Sequence, residues 1–294
     1  VNLYNRIGNI EKRLIMKTLG YYNGKYGEIE DMQIPMLDRV CCFGDGVYDV
    51  TYTRNYKIFT LDEHIDRFFE SARLLDIRIP HDKAGMKYLL QEMVNKCDEG
   101  NLVICWQATR GTAIRNHTYP DDMFANIWIT IRPCDIVDMT DKVDLITVED
   151  TRFLHCNIKT LNLIPSVMAS QKAMRAGAHE ALFHRGDRVT ECAHSNVHII
   201  KDGTLITPPA DCYILKGVAR DHLIKACQNL GIPVRIEPFS LQDIFDADEV
   251  IISSSGSLCL RVGQVDGVSV GGNAEDLIKK LQDYLLDEFN RATE

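Results

Sequence analysis

Lys159 is a cationic side chain among apolar and amide neighbours, in the run His155-Cys156-Asn157-Ile158-Lys159-Thr160-Leu161-Asn162-Leu163. Burial beside Ile158, Leu161 and Leu163 would favour the neutral amine, and a neutral amine attacks an aldehyde to form a Schiff base. A carboxylate that could work with it, Glu191, stands in Val189-Thr190-Glu191-Cys192-Ala193-His194-Ser195-Asn196. Such a group can keep a pyridine nitrogen protonated and turn the ring into an electron sink, so the two segments together point to pyridoxal chemistry. Alone, each has an ordinary explanation. A lysine stem commonly lies on apolar surface with its head in water, and a strand glutamate is commonly solvated.

A phosphate needs several donors, and two segments offer them. In Leu215-Lys216-Gly217-Val218-Ala219-Arg220-Asp221 the glycine permits close backbone approach, and a helix starting there directs free N–H groups at an anion. Ser253-Ser254-Ser255-Gly256-Ser257 follows a strand at 249–252 and adds hydroxyl and amide donors. Phe43-Gly44-Asp45-Gly46-Val47-Tyr48 lacks the third glycine of a dinucleotide fingerprint and reads as a tight turn entering a strand.

The elements that must position these groups are mixed. Asn23-Gly24, Asp202-Gly203 and Asp266-Gly267 mark hairpin turns, so antiparallel pairing is expected in both halves. Met86, Leu89, Leu90, Met93 and Cys97 share one helical face, as do Leu223, Cys227 and Leu230, with Gly231 ending that helix. Asn273 is expected to cap a last helix whose Leu277, Leu281 and Leu285 repeat every four residues and pack on the second domain. A boundary falls where a β-rich run ends near Arg132-Pro133 and polar residues precede a strand at 143–148. The expected organisation is an N-terminal extension (1–17, with 1–15 peripheral), a small α/β domain (18–134), a linker (135–142) and a larger α+β domain (143–294).

Composition sets the outer limits. The chain has 294 residues, 45% hydrophobic and 26% charged, enough for two domains with their own cores. Lys+Arg 33 against Asp+Glu 42 gives a net charge of −9, and no basic run is present to neutralise phosphates, so nucleic acid is not an expected partner. Ten cysteines without C-x-x-C spacing read as reduced thiols, mostly core filling, and no metal site is expected. No apolar stretch approaches the ~20 residues of a membrane span, and residues 1–17 do not read as a secretory signal. A cytoplasmic protein acting on small molecules is the expectation.

In their order along the chain, these segments resemble the fold-type IV pyridoxal-phosphate aminotransferases, and within them the D-amino-acid enzymes. The likeness runs from about Leu19 to Gly267. Its landmarks are Asp38-Arg39, Phe43-Gly44-Asp45-Gly46-Val47-Tyr48, Glu63-His64-Ile65-Asp66-Arg67, Thr109-Arg110-Gly111-Thr112, Asn157-Ile158-Lys159, Val189-Thr190-Glu191 and Leu215-Lys216-Gly217. The resemblance implies a two-domain α+β fold, a small α/β domain followed by a larger pseudo-barrel with flanking helices. It also implies pyridoxal 5′-phosphate as cofactor, Lys159 as the Schiff-base lysine that moves the Cα proton, and Glu191 as the partner of the ring nitrogen. Arg67, Val218, Ala219, Ser254 and Ser255 fall at phosphate-cradling positions. Ala219 departs from the pattern, since a threonine hydroxyl is familiar there.

For the substrate, the resemblance implies that Arg115 and His117, in an Arg-x-His element, hold the α-carboxylate together with Tyr48. A guanidinium binds a carboxylate bidentately, and the other two add orienting donors. In the family the arginine and histidine reach the site from the neighbouring subunit, which implies a homodimer with shared active sites. The implied reaction is ping-pong transamination of D-amino acids such as D-alanine or D-glutamate with a 2-keto acid such as 2-oxoglutarate.

Three other readings stay open: a branched-chain L-amino-acid aminotransferase, an aminodeoxychorismate lyase on the same fold, and a pyridoxal-phosphate-binding protein without turnover. Cys192 and His194 stand where small or hydroxyl residues are usual. His155, His194 and His198 are read as structural.

Overall fold

Asn23 and Gly24 take positive φ, 45° and 90°, and so turn β1 (Leu19–Tyr22) into β2 (Lys25–Gly27) with the twist that paired strands require. The computed structural model describes residues 16–294, so the expectation for the first fifteen residues lies outside the described part. Met16 itself is buried and bridges to Cys97.

After α1 (Arg39–Phe43), Gly44 in the left-handed region turns the chain into β3 (Gly46–Arg54). This is the tight turn expected of the Phe-Gly-Asp-Gly run. β3 alternates with a period of two. Val47, Asp49, Thr51 and Thr53 are buried, whereas Tyr48, Val50 and Tyr52 face the opposite way. β4 (Lys57–Ile58) completes a hairpin and leads into α2 (Leu61–Leu74), which buries Ile65, Phe68 and Ala72, a face absent from the sequence reading. α3 (Lys83–Val94) buries Met86, Leu89, Leu90 and Met93 as expected, and stops before Cys97. With β5 (Leu102–Thr109) and β6 (Asn126–Pro133), the strands form an antiparallel sheet in the order β2-β1-β6-β5-β3-β4. Its core centres on Trp106, whose ring meets Phe68 edge-on at 6.1 Å.

The second sheet starts at β7 (Lys142–Glu149), which pairs in parallel with β8 (Glu180–Arg185) across α4 (Ile164–Arg175). β9 (Arg188–Cys192), β10 (Asn196–Lys201) and β11 (Thr204–Thr207) follow, the last two joined at Asp202-Gly203. α5 (Val218–Asn229) begins immediately after Gly217 and ends at Leu230, with Gly231 in the left-handed region. β12 (Val234–Ile236), α6 (Leu241–Phe245), β13 (Glu249–Ser253), β14 (Leu260–Val265) and β15 (Val268–Ser269) complete the sheet, β14 and β15 turning at Asp266-Gly267. The strand order is β12-β11-β10-β13-β14-β7-β8-β9, with β15 on β14. β9 ends that path, yet the chain passes from Cys192 to Asn196 straight into β10, and Cys192 N–H donates to Ser195 O at 2.8 Å. The sheet must therefore curl back toward β10, giving a half-barrel.

The last helix corrects the sequence reading. α7 (Glu275–Ala292) has Ala274 at its N-cap position, with no side-chain cap; Asn273 stands one residue further out, its backbone N–H donating to Asp248 O at 3.0 Å. Acidic Glu275 and Asp276 in its first turn complement the helix dipole instead. Its buried face is Ile278, Leu281, Leu285 and Phe289, and Phe289 crosses to the small sheet's side at Phe59, 4.9 Å between ring centres. Leu230 is likewise exposed rather than on the buried face of α5. The cysteines are all free, but only Cys97, Cys192, Cys227 and Cys259 are buried. Cys41, Cys42 and Cys212 are exposed, so core filling describes a minority. Among the described residues no helix is long and apolar enough to cross a membrane.

Candidate active site

A cavity of about 230 Å³ opens between the two sheets, where the outward face of β3 meets the curled sheet. The backbone of Lys159 is held against the start of β3. Tyr48 N–H donates to Lys159 O at 3.0 Å, Leu161 N–H donates to Gly46 O at 3.0 Å, and Lys159 N–H donates to Ser71 Oγ at 3.2 Å. Ile158 is buried in the small-sheet core, which fixes the next residue at the cavity wall. Lys159 Nζ lies 4.2 Å from the centre of the Tyr48 ring, and among the described residues it has no hydrogen bond or ion pair. An amine that is directed into a cavity and uncommitted there is available to an incoming group.

Glu191, on β9, is buried at another wall of the same cavity. Its Oε1 accepts from Arg152 Nη1 at 2.5 Å, and its Oε2 accepts from Asn196 Nδ2 at 3.0 Å and Leu215 N–H at 3.1 Å. Burial pushes this carboxyl up to about 7, while the Arg152 cation, its hydrogen bond and the other donors pull the other way. Arg152 is itself clamped by Asp150, through Nε to Oδ1 and Nη2 to Oδ2, each at 2.9 Å. Neither Arg152 nor Asp150 is legible in the sequence. The spacing Asp-x-Arg, seven residues before the lysine, carries no meaning until β7 and β9 are brought to either side of β8.

The third wall is built for an anion. α5 starts here with no side-chain cap, so the N–H groups of its first turn are free, and Ala219 lines the cavity. A β-carbon on Gly217 would collide with Asn196 Oδ1, so only glycine lets this helix start approach so closely. Arg67 reaches the same place from α2. Its Nε and Nη2 donate to Asp49 Oδ2 and Oδ1 at 2.9 and 2.7 Å, while Nη1 is directed at Lys216 O, 3.4 Å away. Asp49 is fully buried, and despite that burial the charges of Arg67 and His64 hold its carboxyl well below the usual range. Asp49 Oδ1 also accepts from His64 Nδ1 at 2.8 Å, which leaves Nε2 facing the Ser255 hydroxyl at 3.2 Å. One buried carboxylate thus positions both a guanidinium and a serine of the anion site.

The site residues read from sequence therefore separate into two sets. Lys159, Glu191, Arg67, Ala219, Ser254, Ser255 and Tyr48 line the one cavity. Val218 does not line it; its side chain faces a smaller void beside Phe59 and His222. Arg115 and His117 are exposed and lie outside the cavity, near Phe43: the Arg115 guanidinium is 5.2 Å and the His117 ring 5.5 Å from its ring centre. His198 is structural, as expected. It is buried, with Nδ1 2.9 Å from Thr207 Oγ1 and Nε2 2.8 Å from Ser253 Oγ. His155 and His194 instead reach the cavity wall.

The residue set suits pyridoxal phosphate: an uncommitted amine for its aldehyde, a buried carboxylate for its ring nitrogen, and a glycine-opened helix start with an arginine for its phosphate.

Comparison with known proteins agrees with this geometry. The amino-transferase class IV family profile matches residues 46–265. A D-alanine aminotransferase of Listeria monocytogenes is 40% identical over 278 residues, 92% of this chain and 96% of that one. A D-alanine aminotransferase of Staphylococcus haemolyticus is 35% identical, covering 90% of this chain and 95% of its own. Among solved structures, the branched-chain amino acid aminotransferase of T.th. with pyridoxamine 5′-phosphate superimposes with a TM-score of 0.86 at 22% identity, over 94% and 96% of the two chains. The Escherichia coli branched-chain enzyme gives 0.85 at 22% identity, over 95% and 96%. At that identity the likeness establishes the two-domain α+β fold.

Proposed function

Since the chain belongs to the class IV amino-transferase family, we propose that it is a pyridoxal-phosphate enzyme moving amino groups between D-amino acids and 2-keto acids, D-alanine, D-glutamate and 2-oxoglutarate being the expected partners. The observation that carries this reading is the convergence of free Lys159 Nζ, buried Glu191 and the uncapped start of α5 on one cavity. When bound, pyridoxal phosphate supplies an aldehyde carbon for the amino group and a ring that stores the electron pair released at Cα.

Everything else falls to the chain. Lys159 Nζ would take the proton from the substrate's Cα and return one to the cofactor's aldehyde carbon on the other side of the amino nitrogen, since it is an uncommitted amine at the cavity wall beside Tyr48. Glu191 holds a proton at the ring nitrogen, and Arg152, Asn196 and the Leu215 N–H fix its orientation. Arg67, the first-turn N–H groups of Val218 and Ala219, and the hydroxyls of Ser254 and Ser255 bind the phosphate. Ala219 contributes only its backbone there.

The α-carboxylate is held by Tyr48 of the same chain and by Arg115 and His117 of a second copy. Support for a homodimer with shared sites comes from where these residues lie: the Arg-x-His segment is exposed, and its neighbour Ile114 is 81% accessible. Exposed Met36 on the small-sheet side and Ile164, Val167 and Met168 on α4 offer apolar surface for the partner.

Reduction with borohydride followed by peptide sequencing should tag Lys159; a tag elsewhere overturns the reading. Mixing the yellow holoenzyme with D- or L-alanine should bleach it with the D-enantiomer. Bleaching by L-substrates alone would favour a branched-chain L-enzyme and remove the roles given to Arg115 and His117.

A further inference from the structure

The turn between β9 and β10 holds a group that the reaction above does not use. Glu180, the first residue of β8, is fully buried. It accepts from the backbone N–H of His194 at 2.5 Å and from Ser195 Oγ at 2.9 Å. The His194 ring lies on the same pair, with Nδ1 3.3 Å from Glu180 Oε1 and 3.3 Å from Ser195 Oγ. His194 lines the cavity, its side chain is 57% exposed, and no partner is assigned to Nε2 among the described residues. Burial lifts the Glu180 carboxyl up to about 7, and burial together with the Lys159 cation holds the His194 imidazole below its ordinary range, so the ring is neutral near neutral pH. Nδ1 faces Glu180 and Ser195; when Glu180 carries its proton, Nδ1 is the acceptor and the neutral ring bears its hydrogen on Nε2, a donor open to the cavity. His155, the other imidazole at the wall, is exposed and has no such anchor.

We propose that His194, seated on Glu180, is a specificity-determining residue that receives the distal carboxylate of a dicarboxylic amino acid or keto acid. Lys159 and Arg67 are assigned to the reacting carbon and the phosphate, and Arg152 is saturated by Asp150 and Glu191. A second substrate carboxylate therefore needs another fixed donor, and the open edge of His194 is one.

The inference rests on the aminotransferase reading, and its test separates the two. Holoenzyme, His194→Ala and His194→Gln are compared for the half-saturating concentrations of D-glutamate and D-alanine in the bleaching reaction. Binding of unreactive glutarate and butyrate is measured calorimetrically on the same proteins. His194→Ala should raise the D-glutamate value and weaken glutarate about tenfold, the size of one lost charge-assisted hydrogen bond, with D-alanine and butyrate moving less than about twofold. His194→Gln, which keeps a donor, should restore part of the glutarate affinity. Equal losses for both substrates, or no loss of glutarate binding in either variant, overturn the proposal. If His194→Ala does not fold, glutarate against butyrate on His194→Gln decides by the same comparison. Absence of bleaching by any amino acid in the unmutated holoenzyme would sink the aminotransferase reading instead.

Discussion

Arg152 Nη1 and Glu191 Oε1 are 2.5 Å apart at a cavity wall, and Arg152 is in turn gripped by Asp150 at the end of β7. The carboxylate assigned to the ring nitrogen thus has a fixed cation behind it, opposing the burial that would otherwise keep it protonated. Arg152→Gln should therefore reduce kcat with D-alanine on the order of a hundredfold. Part of the activity should return as the pH is raised above neutral, since removing the cation raises the Glu191 pKa and higher pH restores the carboxylate. A pH–rate profile with unchanged shape would contradict this.

Asp49 holds Arg67 and, through His64, the Ser255 hydroxyl. Asp49→Asn leaves a buried guanidinium short of its counter-charge, which should cost about 3 kcal/mol of stability in urea unfolding. It should also speed loss of pyridoxal phosphate on dialysis. Retention at the wild-type rate would show that Asp49 acts on folding alone.

Ala219 offers the phosphate site a methyl group where a hydroxyl could donate. Ala219→Thr should tighten pyridoxal phosphate about tenfold, the gain expected of one added hydrogen bond to a charged group. Equilibrium titration of the apoenzyme gives the answer.

Arg115 and His117 lie outside their own chain's cavity. Lys159→Ala and Arg115→Ala should each be inactive alone. Unfolded and refolded together, they should regain activity, because a mixed dimer places both lesions in one site and leaves the other intact. No recovery would mean that Arg115 serves its own chain.

His198 is buried between Thr207 and Ser253, and burial holds its pKa down at about 3. Its folded value is depressed, so its contribution is complete above the ordinary histidine range near 6.5 and is lost as the pH falls from there toward 3. The urea midpoint of the wild type should fall from about pH 7 to about pH 5 by more than that of His198→Gln. Equal slopes would remove His198 as a source of acid lability.

Hairpins at Asn23-Gly24, Asp202-Gly203 and Asp266-Gly267, the start of α5 at Gly217, and the reactive surroundings of Lys159 and Glu191 are all legible in sequence, because each is a property of a few consecutive residues. α2 is not, because its buried Ile65, Phe68 and Ala72 are interspersed with charged residues that carry site chemistry. The cap expected at the start of α7 is absent because the helix starts one residue later than the sequence suggests, which puts Ala274 and not Asn273 at the N-cap position. Asp49, His64, Arg152 and Glu180 act through partners on other elements. Arg152 and Glu191, for example, are 39 residues apart in the chain and meet only once β7, β8 and β9 lie side by side. The sequence by itself determined which reactive groups the chain carries and which backbone turns it must make. Only the tertiary structure decided which of those groups share a cavity, because convergence there depends on two sheets closing against each other and on where buried carboxylates fix the cations and imidazoles around them.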